Sequence, residues 1–77
     1  MTALTEQTKR SIDGVITEFL VDQGIPEWSH LDSLAAMDML VEVEEAFNIS
    51  LPLSILEDNK TRGDFVNAVS RAVVKRY

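Results

Sequence analysis

Residues 31–52 read LDSLAAMDMLVEVEEAFNISLP, and the spacing of their apolar side chains decides the fold. At about 100° per residue, Ala36, Met39, Leu40, Val43, Ala46 and Phe47 gather on one side of a helix as a core-facing stripe. Leu34, Met37 and Val41 follow i, i+3, i+7 on nearly the opposite side, among Asp38, Glu44 and Glu45. A small bundle wraps one side of a helix, so this second stripe is surplus to folding and suits docking: the acids orient a partner and the apolar side chains hold it. The plain alternative is ordinary scattered apolar exposure, covered by a neighbouring loop. Asp32 or Ser33 can cap the helix, and Asn48 suits the left-handed residue that closes it.

Upstream, Ile12, Val15, Ile16, Phe19 and Leu20 repeat the helical pattern and predict a helix over about 4–21, ended by Gly24 and Pro26. The segment 22–31 has no helical period and reads as an ordered loop whose Ile25 and Trp28 fold back over the core. Downstream, a short helix is expected over 53–58, where Pro52 bars backward extension and Ser54 with Glu57 matches a capping box. A last helix over about 63–75 opens at Thr61 with Asp64 and buries Phe65, Val66, Val69, Ala72 and Val73; Arg71, Lys75 and Arg76 suit its C-terminal end. The expected class is all-α: a bundle of three main helices plus one short one, forming a single domain over 1–77.

With 45% apolar and 26% charged residues, the chain is of globular composition. It has no cysteine, so disulfides and thiol chemistry of its own are excluded. Its net charge of -6 is unevenly laid out, because residues 11–59 hold eleven acids and neither lysine nor arginine. That field repels nucleic acid and anionic lipid and steers basic surfaces toward the middle of the chain. There is no apolar run of membrane-spanning length and no secretion signal, so a soluble, cytoplasmic monomer is expected.

Ser33 stands where unpaired N–H groups and the helix dipole favour a phosphate. Taken alone, a serine at that place reads as a cap. The run Leu31-Asp32-Ser33-Leu34, the acidic helix ending Glu44-Glu45-Ala46-Phe47-Asn48-Ile49, the following Leu51-Pro52 and Thr61-x-x-Asp64 together resemble the acyl carrier protein family over nearly the whole chain. The resemblance implies covalent 4'-phosphopantetheine on Ser33, with Asp32 and Leu34 beside the attachment point. It implies that Leu34, Met37, Asp38, Val41, Glu44 and Glu45 meet partner enzymes with basic docking surfaces. It also implies a non-enzymatic carrier that holds acyl or aminoacyl cargo as thioesters. A phosphopantetheinyl transferase, using coenzyme A and its own divalent metal, would attach the arm.

Leu31, Ala35 and Asn48 depart from common fatty-acid carriers, and an apolar third helix with Leu53, Ile55 and Leu56 does so too. These features resemble discrete carriers of specialised pathways, whether polyketide, fatty-acyl or nonribosomal peptide. Leu53, Ile55, Leu56, Val43 and Phe47 could line a space for an apolar cargo, or simply form core. The competing reading is a non-covalent helical adaptor in which Ser33 is only a cap. His30, Asp32 and Ser33 do not make a hydrolase triad, since three sequence neighbours seldom converge as nucleophile, base and orienter. His30 reads instead as a loop residue bonded to backbone, or one touching the arm or the transferase.

Overall fold

Three apolar stripes cannot all be buried unless the helices that carry them meet, and the computed structural model shows how they do. It describes the backbone of residues 2–76 and the side chains of 5–75; the side chain of Arg76 lies outside the described residues. The order is α1 (Thr2–Gln23), a single 3-10 turn (Trp28–His30), α2 (Ser33–Phe47), α3 (Ser54–Asp58) and α4 (Arg62–Arg76). The bundle is all-helical over the described residues, as the sequence predicts. α1 packs against both α4 and α2, and α3 packs against α4. Between them lie Ile12, Ile16, Phe19, Leu20, Met39, Leu40, Val43, Leu51, Ile55, Phe65, Val66, Val69 and Val73, one contiguous core.

The helix ends follow from local chemistry. Gly24 takes φ 68°, which lets the Gly24 N–H reach the Val21 carbonyl and the Ile25 N–H reach the Leu20 carbonyl. Asn48 does the same for α2 at φ 53° and ψ 50°, with the Ile49 N–H on the Glu44 carbonyl at 3.0 Å. Thr61 Oγ1 accepts from the Asp64 N–H at 3.1 Å, so the expected α4 cap is formed.

The connecting segment is held down by Trp28. Its indole lies 5.4 Å from the fully buried Phe65 ring, and its Nε1–H donates to the Lys60 carbonyl at 2.9 Å. An aromatic pair of this kind contributes roughly 0.5–1.5 kcal/mol beyond burial. The 3-10 turn, closed by the His30 N–H on the Glu27 carbonyl and the Leu31 N–H on the Trp28 carbonyl, is too short to leave a period in the sequence. On the far side Arg62 clamps α4 to α1: Nε donates to Asp13 Oδ1 at 2.8 Å, and Nη2 donates to the Asp13 carbonyl and to Thr17 Oγ1.

Two local expectations are corrected. Ala46 is exposed, because it sits at the margin of the α2 stripe, whereas Phe47 packs onto the core. The Ser54–Glu57 capping box does not form: the chain already turns at Leu53 (φ -59°, ψ -29°), where the Ile55 N–H bonds the Pro52 carbonyl. Ser54 is thereby inside the helix rather than ahead of it.

Ser70 is a polar residue in the core, 1% exposed, and its Oγ has no hydrogen-bond partner among the described residues. An unsatisfied buried hydroxyl costs roughly 1–3 kcal/mol. Ser70→Ala is therefore expected to raise stability by about 1 kcal/mol in urea unfolding, with an unchanged denaturant slope; a loss of stability would contradict the assignment.

Candidate functional site

The first turn of α2 separates two jobs that the sequence leaves undivided. Asp32 is the N-cap, extended at φ -86° and ψ 176°, and its Oδ1 accepts from the Ala35 N–H at 2.8 Å. Its carbonyl accepts the first intrahelical bond, from the Ala36 N–H at 2.9 Å. Ser33 is thus the first helical residue and not the cap, which decides between the two capping candidates in favour of Asp32. The physical reason is reach: an N-cap side chain must lie just outside the helix to meet the N–H groups that follow.

Freed from capping, the Ser33 side chain is exposed, and its hydroxyl makes no hydrogen bond among the described residues. The N–H groups of Ser33 and Leu34 likewise find no acceptor among them. A nucleophilic oxygen therefore sits at the positive end of a 15-residue helix with open N–H groups beside it.

Ser33 opens onto a groove of about 410 Å³, lined by Leu31, Asp32, Ala36, Met37, Leu53, Leu56, Glu57 and Lys60 besides Ser33 itself. Of the apolar residues expected to line such a space, Leu53 and Leu56 do, whereas Val43 and Ile55 are buried in the core and Phe47 packs against it. Glu57 and Lys60 are lining residues that sequence reasoning missed. No periodicity marks Lys60, which follows α3 in a loop.

The stripe of α2 is open to solvent. Leu34 is 72%, Met37 46% and Val41 49% exposed, and Asp38 and Glu45 beside them are exposed too. Glu44 differs: it is half-buried and its Oε2 accepts from the Leu51 N–H at 2.7 Å, fastening the segment after α2 to the helix. His30 is exposed and its ring makes no hydrogen bond among the described residues, so the expected backbone bond is absent. With Asp32 Oδ1 engaged by Ala35, no relay from Asp32 through His30 to Ser33 is built.

An exposed serine hydroxyl at a helix start, facing a half-apolar groove, fits a phosphodiester-linked arm. The sequence model of the family described as phosphopantetheine attachment site matches residues 10–69, most of the chain. The chain belongs to that family. No curated protein and no solved structure matches it at a significant level. As a phosphopantetheine-binding domain it carries covalent 4'-phosphopantetheine, and it works with a phosphopantetheinyl transferase and partner enzymes; such carriers are typically not catalytic themselves. No helix among the described residues is long and apolar enough to cross a membrane.

In this carrier, capping and attachment should separate in stability measurements. Asp32→Ala is expected to cost about 1 kcal/mol through loss of the cap. Ser33→Ala should stay within about 0.5 kcal/mol of the parent. Equal, large losses for both in chemical unfolding would restore Ser33 to a capping role.

Proposed function

We propose that Ser33 is the attachment point of the 4'-phosphopantetheine arm, and that the chain is a discrete carrier delivering acyl or aminoacyl cargo in a specialised polyketide, fatty-acyl or nonribosomal peptide pathway. The observation that carries this reading is the unbonded, exposed Ser33 hydroxyl in the first turn of α2, inside the stretch matched by the family. The Ser33 Oγ loses its proton to the transferase and forms the new P–O bond to the phosphopantetheine phosphorus, while adenosine 3',5'-bisphosphate leaves from coenzyme A. When bound, the arm supplies a terminal thiol, which a chain without cysteine lacks, and a tether that raises the cargo's effective concentration at each partner.

Asp32 fixes the turn from which Ser33 projects, and the first-turn N–H groups of Ser33 and Leu34 face the charge that forms there. Leu34, Met37 and Val41 present the docking stripe, with Asp38 and Glu45 as the steering charges. Glu44 contributes there from a side chain already anchored to Leu51, a fixed negative charge. These residues serve a cytoplasmic monomer that meets enzymes with basic surfaces one at a time.

Incubation with coenzyme A and a broad-specificity phosphopantetheinyl transferase should add one phosphopantetheine mass to the intact chain and none to Ser33→Ala. No increment, or one that survives in Ser33→Ala, would refute the reading. Met37→Glu should lower the transferase's kcat/KM about tenfold, the loss of roughly 1.4 kcal/mol expected of an apolar docking contact, while loading still reaches one equivalent. An unchanged kcat/KM would remove Met37 from the docking surface.

A further inference from the structure

The charge distribution around Ser33 leaves one cation unexplained. The groove holds two carboxylates, Asp32 and Glu57, and a single basic side chain, Lys60. Neither lysine nor arginine occurs from residue 11 to residue 59, and His30, three positions from Ser33, does not line the groove. Arg62, the next one, has its guanidinium committed to Asp13 and Thr17. The Lys60 ammonium has no ion-pair partner among the described residues.

Its backbone is also fixed. Trp28 Nε1 donates to the Lys60 carbonyl at 2.9 Å, and the Trp28 ring rests on the buried Phe65, so the loop that carries Lys60 is tied to the core and to the segment leading into α2. A second groove, of about 210 Å³ and lined by Trp28, shares Leu31, Ala36, Leu56 and Lys60 with the first, placing Lys60 where the two meet.

We propose that Lys60 is a positioning residue for the arm, a counter-charge to the phosphodiester formed at Ser33; this rests on Ser33 being the attachment point. That phosphodiester adds a negative charge to a site already bearing Asp32 and Glu57, in a chain of net charge -6. Lys60 and Ser33 line the same groove, and charges within about one Debye length of each other, roughly 8 Å at physiological salt, are only partly screened. Lysine binds phosphate as a point charge without demanding bidentate geometry, which suits a ligand that must swing away with its cargo.

The test uses the wild-type chain, Lys60→Gln and Lys60→Arg, each loaded by the transferase, with loading verified by intact mass. The 31P resonance of loaded wild type should differ from that of Lys60→Gln at about 20 mM salt and converge on it by about 500 mM, as screening removes the interaction. Lys60→Arg should follow wild type. Loading should lower the melting temperature more in Lys60→Gln than in wild type, by about 1–4 °C, the magnitude of an exposed ion pair in a domain of this size. Unaltered Trp28 fluorescence in the unloaded variants verifies that the fold is intact. Coincident 31P resonances of loaded wild type and Lys60→Gln at low salt overturn this inference alone. A wild-type chain that accepts no arm overturns the attachment reading on which it stands.

Discussion

The hydrogen bond from the Ala35 N–H to the Asp32 carboxylate is the contact on which the site depends. A helix start needs a side-chain acceptor for its first N–H groups, and two candidates stood next to each other in sequence. Because Asp32 takes the task from just outside the helix, Ser33 enters the first turn with its hydroxyl unspent and pointing to solvent rather than back to the backbone. With the arm on Ser33 as proposed, stability and function would draw on the same dipeptide, one residue apart.

The rest of the bundle serves to hold that turn in place. α2 is fixed along one side by Met39, Leu40 and Val43 in the core, and at its end by the left-handed Asn48 and by Glu44 reaching the Leu51 N–H. Its approach is fixed by Trp28, which ties the segment before α2 to the loop before α4 through Lys60. The other side of α2 is left bare, with Leu34, Met37 and Val41 among acids. Among the described residues, no element covers it beyond those that bury the core, and in a carrier that side is where partners would come.

The long helices were legible in the sequence because burial on one side imposes a period that survives in the residues: the stripe of Ile12, Ile16, Phe19 and Leu20 marks α1, and that of Phe65, Val66, Val69 and Val73 marks α4. The exposed stripe on α2 was legible as apolar residues at helical spacing left over on the side away from the buried one. What was not legible rests on contacts between residues far apart or on single turns. The Trp28–Lys60 bond spans 32 positions and the Arg62–Asp13 bridge 49, and no local pattern announces either. Ser70 reads as a break in an apolar stripe and is nonetheless buried. Capping could be narrowed to Asp32 or Ser33 by residue type alone, but only backbone geometry separates the two. The cargo leaves no mark in the sequence, since the apolar residues that line the groove, Leu31, Ala36, Met37, Leu53 and Leu56, are ones that any helical bundle would use.

One particular hydroxyl, that of Ser33, is proposed to bear the arm. The chain has six serines, Ser11, Ser29, Ser33, Ser50, Ser54 and Ser70, so the most direct measurement is fragmentation mass spectrometry of the loaded protein. Every fragment carrying phosphopantetheine should contain Ser33, and fragments holding only the other serines should be unmodified. Phosphopantetheine on a fragment without Ser33 would contradict it.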